Sequence, residues 1–278
     1  KLAALWLPEP ENEPQGRAYY SQADLLLFGG APGGGKTDLL AGCALTAHTH
    51  SVIFRRQATD LRGIEDRIIE LVGREGWNGA DKILRRNGRV LELGHLEKPG
   101  AEKSWQGRPH DFIGFDEGAQ LARVKVQFVL GWLRSVKEGQ RRRSIIASNP
   151  PLGGEGEWLA EWFAPWLDLR FSNPAKDGEL RYAATAPDRD GTTIWLPDAR
   201  KIVFTGERSY RYASDEEIAD PTNQEVIEPL TRSFIRSWLR NNPYLANTGY
   251  QKQLQSLPEP MRSLLLKGDF MASRIDHE

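Results

Sequence analysis

The sequence predicts an α/β fold, a mostly parallel sheet flanked by helices, and three observations carry that prediction. Short apolar runs of strand length alternate with stretches of helical spacing from residue 24 to residue 168, which is the pattern of repeated strand–helix–strand units. The runs are apolar throughout rather than at every second position, as strands buried on both faces require. The first run leads straight into a glycine cluster, a lysine and a threonine, in DLLLFGGAPGGGKTDLLAG at residues 24–42.

Each element follows from its own residues. PEPENEPQGRA (8–18) is Pro-rich and polar and reads as an extended lead-in. DLLLFGG is a buried strand stopped by glycine. KTDLLAGCALTAHTH follows at helical spacing, with Leu39, Leu40, Cys43 and Ala47 near one stripe. SVIFRR (51–56) is a second strand. GIEDRIIELVGREG is a helix ending at Gly73 or Gly76. Asn87-Gly88 sits between two short runs and signals a hairpin. DFIGFDEGAQ is a strand ending in acids, VKVQFVLGWLRSV a helix, RSIIASNPP a strand stopped by Asn149-Pro150-Pro151, and GEWLAEWFAPWL an amphipathic helix. After about residue 170 the texture becomes irregular, with short β-like runs. TRSFIRSWLRNNPYL and TGYQKQLQSLPEPMRSLLLKGDF then read as helical pieces with Pro breaks. A subdomain boundary is expected near 220. No repeats or low-complexity tracts occur.

The 278 residues suffice for one large domain or two small ones, and the composition is that of a soluble globular chain. The net charge of −1 predicts no partner in bulk, so any grip on nucleic acid must come from a local patch. A single cysteine, Cys43, excludes an internal disulfide and suits a reducing compartment. No apolar run approaches the roughly 20 residues that span a bilayer, and no secretory signal is visible. The first residue is Lys, which points to a trimmed chain.

Gly30–Thr37, G-A-P-G-G-G-K-T, fits G-x-x-x-x-G-K-[ST] at every fixed position, after a strand and at the opening of a helix. Residues without side chains let backbone N–H groups curl round a β-phosphate, and the helix N-terminus adds positive potential. Lys36 reaches the β/γ-phosphates and the Thr37 hydroxyl holds Mg²⁺. The nucleotide-binding set is thus Gly30, Gly33, Gly34, Gly35, Lys36, Thr37 and the adjoining Asp38. FIGFDEG supplies the acids. Asp116 ends an apolar strand and would face the metal, and Glu117 would orient and deprotonate a water in line with the γ-phosphate. The second acid favours hydrolysis over transfer to another acceptor. Ser148 and Asn149 end a third strand, where they either sense the γ-phosphate or merely form an Asn-Pro turn.

These residues resemble a known family, the large subunit of tailed-phage terminases, the ATPase that pumps DNA into procapsids. Five segments in order carry the resemblance: PQGRAYYSQADLLLFGGAPGGGKTDLLAG, SVIFRRQATDLRG, SWQGRPHDFIGFDEGAQ, SNPPLGGEGEWLAEWF, and RSFIRSWLRNNPYL followed by YQKQLQSLPEPMRSLLLKGDF. The resemblance implies a P-loop NTPase fold of the RecA/ASCE-like type, with an ATPase core over 1–220 and a small lid or linker subdomain over 221–278. It matches Gln15 to an adenine-contacting glutamine, Lys36 and Thr37 to the Walker A residues, Asp116 and Glu117 to the Walker B and catalytic acids, and Ser148-Asn149 to the coupling motif. ATP and Mg²⁺ are the implied cofactors. Double-stranded DNA, the portal protein, the small terminase subunit and further copies in a ring are the implied partners, in the host cytoplasm.

Two departures follow. Some terminases carry an arginine within the phosphate loop, where this chain has Gly, Ala and Pro. The charge-neutralising arginine must then come from elsewhere, with Arg108 ranked before Arg55 and Arg56, each of which could equally be a plain ion pair. The family continues into a nuclease built on clustered acids, whereas Asp276 and Glu278 are too few for two metals, so no DNA cleavage is expected. Arg141-Arg142-Arg143 and Arg85-Arg86 are the visible basic clusters, either backbone contacts for DNA or solvated turns. A helicase-type motor and a non-catalytic nucleotide-binding module are the competing readings. The first would need a second motor half, and the second would have no use for Glu117.

Overall fold

The computed structural model describes residues 5–245 and 248–271. Asp276 and Glu278 lie outside the described residues. Thirteen strands are described: β1 (Leu25–Gly30), β2 (His50–Arg55), β3 (Trp77–Asn78), β4 (Ile83–Arg86), β5 (Arg89–His95), β6 (Phe112–Asp116), β7 (Arg143–Ser148), β8 (Arg181–Thr185), β9 (Thr193–Leu196), β10 (Ile202–Phe204), β11 (Tyr210–Tyr212), β12 (Val226–Ile227) and β13 (Leu230–Ser237). Ten of them form one sheet in the order β3-β4-β5-β2-β6-β7-β1-β13-β8-β9. The six from β5 to β13 run parallel, and antiparallel strands extend both edges. The predicted α/β class is therefore the observed one.

Alternate side chains of the parallel strands feed two cores. Leu26, Phe28, Ile53, Phe112 and Ile145 pack with the helices Lys36–Gly42 and Leu61–Val72 on one face. Leu27, Phe54, Phe115 and Ile146 pack with Val126, Val129, Trp158 and Trp162 on the other. Residues 25–28 of β1 are all buried, so their unbroken apolar run reflects helices on both sides. The Asn87-Gly88 hairpin joins β4 to β5, with φ of 50° and 72° at its two central residues. Both values are positive, as the tight turn that matches strand twist requires.

Several expectations are corrected. RSFIRSW is not helical: Leu230–Ser237 is β13, paired parallel with β1 from Leu25–Arg232 to Gly30–Ser237. The sheet thus extends past the expected boundary near 220. The helix expected over 124–136 ends at Leu130. GEWLAEWFAPWL splits into Trp158–Trp162 and Ala164–Leu167, because Pro165 opens a new helix after Phe163. The irregular stretch after 170 is ordered: β8 and β9 extend the sheet, and β10–β12 form a separate three-stranded sheet.

The two arginine clusters are partly structural. Arg143 is 2% exposed and donates to the Tyr19 carbonyl, to His48 Nε2 and to Cys43 Sγ. Arg141 donates to the carbonyls of Ser21 and Ala23. Arg86 donates to the Val72 carbonyl. Arg143 is thus buried away from any DNA backbone, and Nη2 of Arg141 is held by the chain itself. Burial pushes the Cys43 thiol up to about 11 against the pull of Arg143 and Arg141, so it is a core residue and not a nucleophile.

Candidate nucleotide site

The carboxyl ends of β1, β2, β6 and β7 converge, and each delivers a polar group. β1 runs into the glycine loop. Gly35, in the left-handed region at φ 78°, precedes the helix that begins at Lys36. The loop is glycine-rich for packing reasons as well as for ligand access. A Cβ on Gly30 would lie 2.3 Å from the Ser237 carbonyl oxygen, and one on Gly34 would lie 2.7 Å from the Ser237 side chain. The end of β13 thus braces the back of the loop.

Lys36 is 7% exposed, and its ammonium donates to the Ala31 carbonyl at 2.7 Å. Burial pulls its pKa down to about 8, against the opposing charges of Glu117 and Asp116. The Thr37 hydroxyl donates to Asp116 Oδ2 at 3.1 Å. The same oxygen accepts Nε and Nη2 of Arg55 at 2.9 and 2.6 Å. One carboxylate oxygen therefore receives three donors, two from a guanidinium.

Glu117 follows at φ 53°, ψ 50°, a left-handed conformation uncommon for a residue with a side chain and strained at about 1–3 kcal/mol. Its pKa is raised, first by burial and then by the charge of Asp116, with Lys36, Arg55 and Asn149 opposing. Asn149 Nδ2 donates to Glu117 Oε2 at 3.2 Å, while Asn149 Oδ1 is buried without a hydrogen-bond partner. Ser148 accepts from the Ala119 amide and donates to the Asn149 carbonyl, fixing the turn after Glu117 to the end of β7. Gly33, Gly35, Lys36, Thr37, Asp38, Glu117, Asn149 and Asn242 line one cavity of about 240 Å³.

A second cavity of similar volume adjoins it across Gly35 and Asp38. Gln15 lies there, 3% exposed, with Nε2 on the Gly35 carbonyl and Oε1 accepting the Glu9 amide. Trp6, Leu7 and Leu71 give the cavity an apolar side. Asp38 lines both cavities, with its two carboxylate oxygens held by Arg67 at 2.7 and 2.8 Å.

The structure thus gathers Gln15, Gly33, Gly35, Lys36, Thr37, Asp38, Asp116, Glu117, Ser148 and Asn149, and does not gather Arg108. Arg108 pairs with Glu92 and lies 4.3 Å over the Trp105 ring, beside a different cavity. Arg56 pairs with exposed Glu155 at 2.8 Å. Three contributors escape the sequence reading. Arg67 shows no signal beyond an acid elsewhere in the chain. Asn12 caps the helix Glu13–Tyr20 and donates to the Gly34 carbonyl, in a Pro-rich stretch that reads as a lead-in. Asn242 donates to the Gly33 carbonyl at 2.6 Å, and its signal is the Asn-Pro pair after RSWLRN.

A parallel sheet with a phosphate loop after β1, a carboxylate pair after β6, and β7 between those two strands defines the P-loop NTPase class. Residues 27–230 match the family described as terminase large subunit, T4likevirus-type, N-terminal, and the chain belongs to that family. The large terminase from a thermophilic bacteriophage, solved with ADP, superposes with a TM-score of 0.53 at 10% identity, covering 95% of this chain and 54% of that one. The same phage enzyme in complex with ATP-γ-S gives 0.52 at 11% identity, covering 93% and 52%. The ATPase domain of the Thermus phage P74-26 large terminase gives 0.52 at 12% identity, covering 96% and 95%. The chain therefore has the fold of a terminase ATPase domain and spans about half the length of the first of these proteins. A comparison with curated proteins finds no match.

Proposed function

We propose that the chain is the ATP-hydrolysing motor portion of a phage terminase large subunit, driving double-stranded DNA into a procapsid. The observation that carries this reading is the meeting of Lys36, Thr37, Glu117 and Asn149 around one cavity, with Asp116 hydrogen-bonded behind Thr37, in a fold whose relatives were solved with ADP and ATP-γ-S.

Roles follow from the chemistry. Amides of the Gly33–Gly35 turn and the Lys36 ammonium take the phosphates. Gln15, beside an apolar wall, suits a purine edge. Thr37 and Asp116 would hold Mg²⁺: both offer oxygen, the donor a hard cation selects, and the Asp116 carboxylate already draws a cation, Arg55. The ion supplies charge neutralisation at the phosphate oxygens. Glu117, its carboxyl pushed up by burial, is poised to accept a proton from water, and Asn149 fixes its orientation. Ser148 and Asn149 carry the state of the site into the segment after β7.

An arginine completing the site across a subunit interface is assigned to Arg108. It is 43% exposed, as such a role needs. Arg108→Ala would then abolish hydrolysis in the assembled ring, and mixing with Glu117→Gln subunits would restore part of it. The portal protein, the small terminase subunit and a ring of identical copies are the proposed partners, in the host cytoplasm. We place the lid or linker subdomain after Ser237, since β13 belongs to the sheet. No DNA cleavage is assigned to this portion.

The decisive experiment is Mg²⁺-dependent ATP turnover with and without portal and double-stranded DNA. Stimulation by duplex DNA in the presence of portal is expected. Stimulation by single strands or forks, with strand separation, would favour a helicase. Absence of turnover under every condition would leave only a nucleotide-binding module.

A further inference from the structure

The amino ends of β2 and β6, with the middle of the neighbouring β5, hold a second polar cluster that the ATP site does not use. β5, β2 and the residue pair before β6 lie side by side and bring together Glu92, His50 and His110. The donor atoms of all three lie within 4.8 Å of one another. His110 Nε2 stands 2.6 Å from Glu92 Oε2, and His50 Nε2 stands 3.9 Å from that same oxygen. His110 is 2% exposed and Glu92 5%, while the His50 side chain is about half open.

We propose that His50, Glu92 and His110 form a binding site for a divalent transition metal of the zinc type, separate from the nucleotide site. Two imidazoles and one carboxylate are a donor set zinc accepts, with a fourth position left for water. Donors bonded at 2.0–2.1 Å around a tetrahedral ion stand about 3.3 Å apart. The two separations to Glu92 Oε2 bracket that value, a mismatch on the scale of side-chain rotation. The 3.9 Å gap between His50 and Glu92 is too long for a hydrogen bond, but two ligands of one ion can span it.

Protonation suits the role. Burial and then the neighbouring His110 hold the His50 pKa down, leaving a neutral ring with a lone pair. Burial pushes Glu92 up, but the His110 hydrogen bond and the charges of His110 and Arg108 more than offset it, so Glu92 stays ionised. Metal binding takes the lone pair of His110 Nε2, so a proton on that nitrogen moves to Nδ1 or to solvent. Arg108 holds the other Glu92 oxygen, Oε1, and leaves Oε2 for the ion. A hydrogen-bonded carboxylate of this kind is the usual support around a metal. Arg85 adds positive charge nearby but is exposed, where water screens it. Strand β2 separates the two sites: His50 opens it and Arg55 closes it, about 16 Å apart at strand rise.

The test uses the untagged, nucleotide-free chain titrated with Co²⁺ and then Zn²⁺. One Co²⁺ per chain is expected, with the intense visible absorption of a four- or five-coordinate ion bound by imidazole, and with displacement by Zn²⁺. His50→Gln, at a half-open position, should keep the fold by circular dichroism and bind at least about tenfold more weakly. Glu92→Gln should do the same. Weak absorption typical of six oxygen ligands would assign the metal to Asp116 and overturn the proposal. Unchanged affinity in His50→Gln, or no uptake at micromolar metal, would overturn it too. In that case Glu92 simply joins Arg108 and His110 in a buried ion network.

Discussion

At the carboxyl end of β2 a guanidinium grips a carboxylate beside a threonine. Near its amino end another guanidinium grips a carboxylate beside two histidines. The pairs Arg55–Asp116 and Arg108–Glu92 look alike, yet their surroundings differ in kind. Around Asp116 the further partner is the Thr37 hydroxyl, and Thr37 lines a cavity with the loop glycines and Lys36. Around Glu92 the further donors are imidazoles, and the nearest wall is Trp105. Oxygen donors beside free amides favour a hard cation with phosphate, whereas imidazoles favour a softer metal or none. An arginine on a buried acid therefore does not identify a site; the remaining donors do.

Substitutions at the two ends sharpen this contrast, beginning with the largest expected effect. Glu117→Gln keeps the side-chain shape and loses the proposed base, so steady-state turnover should fall by about 10²–10⁴ while ATP titration shows retained binding. Near-wild-type turnover would remove Glu117 from the chemistry. Lys36→Ala deletes a charge-assisted contact of about 1.5–3 kcal/mol, so ATP affinity measured by calorimetry should drop by roughly 10- to 100-fold.

Lys36 also gives a pH signature. Its folded pKa of about 8 lies below the ordinary 10.5. Between those values the unfolded chain binds more protons, so this group makes the nucleotide-free protein more stable as pH rises through that window. ATP favours the charged form, so affinity should weaken as pH climbs past about 8, and titrations on either side of that value would reveal it. A flat profile would mean that Lys36 stays charged without ligand.

At the amino end, Arg108→Ala leaves buried Glu92 with one donor fewer. A loss of about 1–3 kcal/mol is expected, read as a lowered melting temperature of the isolated chain. The smallest effect is expected for Arg55→Ala. Removing the cation from Asp116 should tighten Mn²⁺ binding to the nucleotide-free chain by up to roughly tenfold, seen by electron paramagnetic resonance. Weaker Mn²⁺ binding would mean that Arg55 shapes the carboxylate rather than competes for it.

The sequence discloses the carboxyl end of the sheet far better than the amino end, for a physical reason. Gly30–Thr37 and Phe112–Glu117 are contiguous runs in which strand, turn and chemistry are written together. The His50, Glu92 and His110 cluster comes from three separate segments, and only the strand order brings them together. β13 is unreadable as a buried strand because Arg232 and Ser233 interrupt its apolar run. Both are buried, Arg232 by lying over Trp162 and Trp195 and donating to the Trp162 carbonyl. Arg143 misleads in the same way, since a triple-arginine run resembles a solvated turn until its buried acceptors are seen. The placing of Gln15 at the nucleotide comes from family resemblance, as its local sequence suggests only an extended lead-in, and its contact with the Gly35 carbonyl is visible only in the fold.

The brace formed by Ser237 and Asn242 has a mechanical corollary. Asn242 stands 209 residues along the chain from Gly33, yet its amide bonds the Gly33 carbonyl, and Ser237 fills the hollows at Gly30 and Gly34. Any change in the shape of that loop would break the Asn242 hydrogen bond or press on Ser237. The loop and the segment that leaves β13 are thus packed as one unit, so neither can shift far unless the other gives way.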